Sequence, residues 1–298
     1  MKKYLSVKET AKKWNLSERT VRNYCSCGKI ADAFLEENIW KIPAAEERPE
    51  RKNKKKENFT ILNILSQEKT AKISGRLYHK IQIDLTYNSN HIEGGTLTHE
   101  QTRYIFETNT IGIKDKTVKV DDIVETVNHF KCVDMIIDNA NYDLSENFIK
   151  KLHLTLKNGT SDSRKNWFSV GDYKKLPNEV GGTETTPPRK VSAEIKKLLN
   201  SYNIKKEKTF EDLIDFHYKF EKIHPFQDGN GRIGRLILFK ECLKNNIVPF
   251  IITEDLKFYY YRGLAQWKKQ KGYLLDTCLT AQDRFKEYLK RQLIINNL

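Results

Sequence analysis

A fifteen-residue run at positions 44–58, AAEERPERKNKKKEN, decides how this chain can fold. It is almost entirely charged, contains Pro49 and offers nothing to bury, so no hydrophobic core can pass through it. We read 44–58 as a linker; its stiffness is open, because Glu, Lys and Ala are good helix formers. The chain is therefore expected to form two bodies, a small one over 1–43 and a large one over 59–298. Its 298 residues with 38% hydrophobic content suffice for one sizeable core plus a lesser one. No uninterrupted apolar run approaches the ~20 residues that span a bilayer. The opening MKKYLSVKET has lysines with no apolar stretch behind them. A cytoplasmic protein without membrane partners is the expectation.

The formal net charge is +14 and the pI about 9.3. Such an excess suits a polyanionic partner, nucleic acid or nucleotide, and suits a solvated lysine-rich surface equally well. The distribution favours a basic N-terminal module: residues 1–58 carry 15 Lys and Arg against 9 Asp and Glu, an excess of six. Five cysteines are scattered, and Cys25 and Cys27 stand too close for the usual zinc pair. Reduced, buried thiols are expected.

Before the linker, Ser6-Val7-Lys8-Glu9 has the pattern of a capping box and predicts a short helix with Ala11 and Trp14 on its buried side. Asn15-Leu16 turns the chain, and Ser17 caps a second helix that Gly28 ends. IADAFLEENIWKIP then reads as a small hairpin or wing stopped by Pro43. Residues 1–43 resemble the MerR and excisionase type of winged helix-turn-helix, which shows a similar Trp-Lys-Ile-Pro ending. That resemblance implies DNA binding, with Ser17, Arg19, Thr20, Arg22 and Asn23 facing the major groove or phosphates. Docking on protein is the alternative.

From residue 59 onward the apolar spacing is helical, over 60–93, 98–108, 119–139, 145–157, 192–201, 209–222, 232–245 and 254–297, the last broken near Gly272 and Thr280. The fold class is mainly α, a helical bundle. Residues 167–188, rich in Gly, Pro and β-branched residues, predict an irregular loop with a short hairpin.

The chemistry concentrates in HPFQDGNGRIGR, residues 224–235. Gly229 and Gly231 allow consecutive amides to form an anion nest that leads into a helix N-terminus. Arg232 and Arg235, three apart on that helix, can clamp further phosphates. Asp228 supplies the oxygen ligand that a phosphate-bridging Mg²⁺ needs, and His224 is the side chain whose ordinary pKa suits proton abstraction. Phe226 is expected to anchor the core. Singly these signals are weak; together they point to a nucleotide-phosphate site.

His224, Phe226, Asp228, Gly229, Asn230, Gly231, Arg232 and Arg235 match the Fic family signature in full, and residues 60–298 are similar to that family. The resemblance implies a helical Fic domain that transfers AMP from ATP, with Mg²⁺ or Mn²⁺, to a Ser, Thr or Tyr hydroxyl of a target protein or of the chain itself. It makes His224 the base, Asp228 the metal ligand, Gly229, Asn230 and Gly231 holders of phosphate oxygens, and Arg232 and Arg235 partners of the β and γ phosphates. His153 and the stretch Gly171-Asp172-Tyr173-Lys174 resemble the approach to the family's flap; His153 is expected to pack between helices. The flap would be Leu176, Pro177, Asn178, Glu179, Val180, Gly181, Gly182 and Thr183, a strand on which a target aligns. A homodimer is a further expectation.

Ser89, Glu93 and Gly94 fall at the spacing of the family's inhibitory motif, on a helix expected at about 80–94. Residues four apart share a face, and Gly94 ends the helix behind Glu93. The resemblance implies that Glu93 pairs with Arg235 and blocks productive ATP binding; a surface glutamate near a helix end is the alternative. Two other functions compete with autoinhibited adenylyl transfer: a hydrolase that uses Glu93 to remove AMP, and a DNA-binding regulator that senses nucleotide.

Overall fold

In a computed structural model, residues 3–37, 39–49, 60–112 and 117–296 are described. The chain divides into two units, Met1–Asn58 and Phe59–Leu298. Most of the expected linker, 50–58, lies outside the described residues, as does Phe59.

The first unit orders β1 (Tyr4–Leu5), α1 (Val7–Trp14), α2 (Glu18–Ser26), β2 (Phe34–Glu36) and β3 (Ile39–Pro43). Ser6 and Glu9 form the capping box: Glu9 N–H donates to Ser6 Oγ at 3.3 Å, and Ser6 N–H to the Glu9 carboxylate at 2.8 Å. Asn15 ends α1 in the left-handed region at φ 52°, and Ser17 Oγ accepts the Thr20 N–H. The strands form an antiparallel sheet in the order β1-β3-β2, with Tyr4 opposite Pro43 and Leu35 opposite Trp40. Ala11, Trp14, Val21, Cys25, Ile30 and Ile42 make its core. All five cysteines are free; Cys27, against expectation, is exposed because it caps the solvent-facing end of α2, whereas the other four are buried.

The second unit is helical: α3 (Ile61–Thr70), α4 (Leu77–Ile92), α5 (His99–Thr108), α6 (Val120–Asp138), α7 (Glu146–Lys157), α8 (Pro188–Ile204), α9 (Phe210–Ile223), α10 (Asn230–Lys244), α11 (Lys257–Gln266) and α12 (Gly272–Asn296). Short 3-10 turns lie at Ser161–Arg164 and Glu254–Leu256, and β4 (Glu179–Val180) pairs with β5 (Thr183–Glu184). Among the described residues no helix is long and apolar enough to cross a membrane.

Three helix boundaries differ from the periodicity. The stretch 60–93 is two helices, because Lys72 and Gly75 take positive φ; the Glu68 carboxylate then accepts the Tyr78 N–H at 2.8 Å and starts α4. Thr280 breaks nothing: its hydroxyl donates to the Asp276 carbonyl one turn back, and α12 continues. The helix expected at 192–201 begins earlier, at Pro188, since proline lacks only an N–H that a first turn leaves unpaired.

α10 lies at the centre, packed against α9, α6, α4, α7 and α3. Every residue from Arg232 to Leu243 is buried, which explains why this helix lacks a polar face. One apolar cluster gathers Leu65, Ile136, Leu152, Phe220, Phe226 and Leu236; a second gathers Ile214, Leu238, Cys242, Tyr260, Trp267 and Leu274. Each such side chain contributes about 1.5–3 kcal/mol by leaving water. Charges near α10 must therefore be paired inside the bundle.

At the α11–α12 crossing, a Cβ on Gly263 would meet the Leu274 backbone at 2.7–2.8 Å. Gly263→Ala should destabilise the fold, because an overpacking cost of about 1–3 kcal/mol exceeds the ~1 kcal/mol gained by replacing a helical glycine. A lower urea midpoint at unchanged m-value is the expected result.

Burial lowers His129, His153 and His217 to about 3 from an ordinary 6.5, and raises Glu221 to about 8 from 4.5. The histidines favour the fold fully above pH ~6.5 and lose that contribution as pH falls toward ~3. Glu221 acts oppositely: its contribution is complete below ~4.5 and lost as pH rises through ~8. Three groups outweigh one on the acid side, so the urea midpoint should peak near pH ~6.5. Glu221→Gln should flatten the decline between pH ~6.5 and ~8.

Candidate functional site

A capping box of Thr209 and Asp212 starts α9, which runs to Ile223. His224 then takes the left-handed conformation, φ 52° and ψ 63°, with its N–H donating to the Phe220 carbonyl at 3.0 Å. Pro225 cannot continue a helix and disfavours an α conformation in the residue before it, so the chain leaves α9 here. Phe226 is fully buried, stacked on His153 with ring centroids 3.9 Å apart. Gly229, at φ 82°, caps α10.

Two side chains fix this loop. Gly171 N–H donates to His153 Nδ1 at 2.9 Å, so Nδ1 is an acceptor and Nε2 carries the proton that faces the Asp228 carbonyl at 3.2 Å. His153 is thus a buried brace, as its expected packing role requires. The Asn230 side chain grips the loop from the other end: Oδ1 accepts the Phe226 N–H at 2.8 Å and Nδ2 donates to the Phe226 carbonyl at 2.9 Å. The carboxamide expected at phosphate oxygens is therefore engaged within the loop, and Asn230 offers an anion its backbone N–H. The first N–H to bond inside α10 is that of Ile233, to the Gly229 carbonyl, which leaves the amides of 230–232 at a helix N-terminus suited to an anion.

Asp228 stands at the cleft lip with half its side-chain surface exposed. Burial by the cleft walls alone would raise its pKa; Arg232 and Lys157 outweigh that and hold the carboxyl well below the usual range. Lys157 Nζ lies 2.7 Å and Arg232 3.1 Å from Asp228 Oδ2. Arg232 also pairs with Glu125. Arg235, the second buried arginine, donates through Nε to Ser89 Oγ at 3.1 Å and through one terminal nitrogen to the Ser89 carbonyl at 2.8 Å and to Glu93 Oε1 at 2.7 Å. Its other terminal nitrogen is buried without a partner. Glu93 caps α4, and Gly94 follows at φ 90°. A Cβ at Gly231 would overlap Glu93 Oε1, so the carboxylate reaches Arg235 only because residue 231 has no side chain. Ser89 and Glu93 therefore meet Arg235, and Gly94 lies just beyond the helix end.

Burial first, then the charge of Lys174, lowers His224 to about 4, while the Glu221 carbonyl and the charges of Glu93 and Asp228 act the other way. The imidazole is neutral at pH 7 and able to take a proton. The flap is tied directly to the catalytic loop. Lys174 N–H donates to the Pro225 carbonyl at 2.9 Å, Leu176 N–H to Gln227 Oε1 at 3.2 Å, and Asn178 Nδ2 to the Phe226 carbonyl at 3.0 Å. Buried Lys174 Nζ further bridges Asn178 and Thr185 across the base of the hairpin. Gly181 and Gly182 both take positive φ, as a two-residue hairpin turn requires, and leave Leu176, Pro177, Glu179, Val180 and Thr183 exposed.

A cleft of about 270 Å³ opens beside Glu93, Glu125, Lys157, Asp162, Asp228 and Arg232. Among the described residues no three His, Cys, Asp or Glu side chains are arranged to hold a metal by themselves. The donor set fits a hard divalent cation that keeps several waters and takes one carboxylate together with phosphate oxygens, as Mg²⁺ does. In the N-terminal unit Ser17, Arg19, Arg22 and Asn23 are exposed and Thr20 is half-buried; Arg22 pairs with Glu18 at 3.2 Å. Sequence reasoning did not single out Glu125, Lys157, Glu221 or Gln227, and it named Lys174 only as part of the approach to the flap. Lys157 had one local signal, its place four residues after His153 on one helix face; Glu125 had none.

Residues 143–241 match the Fic/DOC family. A signaling protein containing a Fic domain from Bacteroides thetaiotaomicron superposes with a TM-score of 0.59 and 27% identity, over 78% of this chain and 92% of that one. A Fic family protein from Desulfovibrio desulfuricans, 23% identical, shares the fold with a TM-score of 0.60 over 77% of this chain and 72% of its own. Among curated relatives, proteins named protein adenylyltransferase Fic from Nematostella vectensis and Drosophila grimshawi are 26% and 27% identical over 187 residues. Those matches span 60% of this chain but only 42% and 36% of the relatives. Residues 143–241 thus carry a Fic domain of the Fic/DOC family, set in a helical unit similar to that of solved Fic proteins.

Proposed function

We propose that the chain is a protein adenylyltransferase, moving AMP from ATP to a Ser, Thr or Tyr hydroxyl of a target protein or of itself. The observation that carries this reading is that a neutral, half-buried histidine, a carboxylate, the open amides of α10 and two buried arginines all fall within residues 224–235, beside a cleft that Asp228 and Arg232 line. The names of the curated relatives support the same chemistry.

In this reading the amides of Asn230, Gly231 and Arg232 hold phosphate oxygens at the helix N-terminus. The His224 imidazole takes the proton of the target hydroxyl, whose oxygen attacks the α-phosphorus in line as the bond to pyrophosphate breaks. Asp228 would hold Mg²⁺ or Mn²⁺, which neutralises phosphate charge when bound. The flap presents backbone along β4, where an extended target segment can pair as an added strand. Because Lys174, Leu176 and Asn178 are bonded to residues 225–227, a segment seated on the flap is held in register with His224.

The Glu93–Arg235 pair acts as a brake in this scheme. Arg235 is held on one side by Ser89 and Glu93, and an incoming phosphate that recruits it must displace the carboxylate. The N-terminal unit binds DNA through the exposed face of α2, a reading supported by Arg19, Arg22 and Asn23 there.

With Mg²⁺ and ATP labelled at the α or the γ phosphate, Glu93→Gly should incorporate α label at least about tenfold faster than wild type, since losing the competing carboxylate is worth more than ~1.4 kcal/mol. His224→Ala should incorporate none. Protein-bound γ label would mean phosphoryl transfer instead, and release of AMP from a modified protein would favour the hydrolase. No label in any variant, with ATP still bound, would favour the nucleotide-sensing regulator. For the N-terminal unit, Arg19→Ala/Arg22→Ala should weaken duplex binding and flatten its logarithmic salt dependence by about two; a wild type without affinity for duplex DNA at low salt would remove the DNA reading.

A further inference from the structure

Lys157 ends α7 with its side chain 2% exposed. An ammonium has three N–H donors, and here each meets a carboxylate from a different part of the chain: Glu125 Oε1 of α6 at 2.5 Å, Asp162 Oδ2 of the first 3-10 turn at 3.0 Å, and Asp228 Oδ2 of the catalytic loop at 2.7 Å. The helix end that presents it is braced: Asn128 Nδ2 donates to the carbonyls of Leu156 and Asn158, and the Thr160 hydroxyl donates to the Lys157 carbonyl. Arg232 takes the remaining Glu125 oxygen and shares Asp228 Oδ2. Lys165 Nζ takes the remaining Asp162 oxygen at 2.7 Å, so the three carboxylates face three cations and the network is balanced.

This arrangement bears on the metal. Asp228 Oδ2 already accepts from two cationic donors, which saturates its lone pairs. A divalent ion that approaches Asp228 finds one carboxylate oxygen available, and Glu125 and Asp162 are turned toward the ammonium. A single oxygen ligand holds Mg²⁺ or Mn²⁺ weakly unless phosphate oxygens join it. We propose that Lys157 is a positioning residue that occupies the three-carboxylate cage as a resident cation, restricts Asp228 to one-oxygen ligation, and thereby makes retention of the divalent ion depend on nucleotide. The inference rests on reading Asp228 as the metal carboxylate.

The test uses the full chain without nucleotide and Mn²⁺ as the probe, its free fraction followed by electron paramagnetic resonance. Lys157→Met removes the charge at nearly constant volume and should bind Mn²⁺ at least tenfold more tightly than wild type. Adding Asp228→Asn to that variant should abolish the gain. Unfolding supplies a second readout: three carboxylates that have each lost one cationic partner should lower the Tm of Lys157→Met, and Mn²⁺ should restore it while moving wild type less. If Lys157→Met does not fold in metal-free buffer, Lys157→Gln, whose amide keeps a donor toward the carboxylates, gives the same comparison. Equal Mn²⁺ affinity in wild type and variant, a gain that survives Asp228→Asn, or a Tm that Mn²⁺ does not restore would each overturn the proposal. None of these readouts uses ATP, so a failure of adenylyl transfer leaves them interpretable, and their failure leaves transfer open.

Discussion

Two guanidinium groups buried in the first turns of α10 set the terms for everything around them. Arg232 and Arg235 are each 5% exposed, and an unpaired charge at that depth costs several kcal/mol. The bundle answers with Glu125 and Asp228 for the first and with Ser89 and Glu93 for the second. Those partners come from α6, the catalytic loop and α4, so the position of α10 fixes three other elements. A helix with its charges toward the core and no polar outer face is stable only in such a setting.

The two arginines are satisfied differently, and the difference matters for a site intended for phosphate. Arg232 belongs to a network with Lys157 and Lys165 that holds three carboxylates between them. Arg235 has one carboxylate, one hydroxyl and one carbonyl, and each guanidinium keeps one buried nitrogen without a partner, Nε in Arg232 and Nη1 in Arg235. The pair at Arg235 is the easier to exchange for another anion, since Glu93 sits at a helix end with 30% of its side chain exposed. The network at Arg232 has more to lose and is the more permanent. One end of the cleft is therefore replaceable and the other fixed.

Much of the site was legible because it is local. The run from His224 to Arg235 carries its own geometry: proline after His224 ends α9, glycine before Asn230 opens α10, and the arginines follow at helical spacing. The capping box at Ser6 acts within four residues and is visible in the same way. What was not legible depends on residues that meet only after packing. Nothing near Glu125 or Lys157 in sequence says that they converge on Asp228. The break between α3 and α4 was hidden because apolar spacing continues through Lys72 and Gly75, where the backbone turns. The role given to Asn230 was incomplete for the same reason: its side chain is close enough to Phe226 to be captured by that residue's peptide group before any ligand arrives.

That capture also bears on how the loop ages. Asparagine followed by glycine is the sequence most prone to lose its amide, because the next residue's backbone nitrogen can attack the side-chain carbonyl carbon. Asn230 is followed by Gly231, yet both ends of its carboxamide are held at Phe226, and its backbone is wound into the first turn of α10. The attacking nitrogen and the carbonyl carbon are kept apart for as long as the fold persists. Conversion to aspartate would remove one of the two side-chain donors facing the Phe226 carbonyl and set a charge against it. The chemical lifetime of the loop is thus tied to its folded state, and material stored partly unfolded would expose this asparagine as fully as Asn158, the other asparagine followed by glycine.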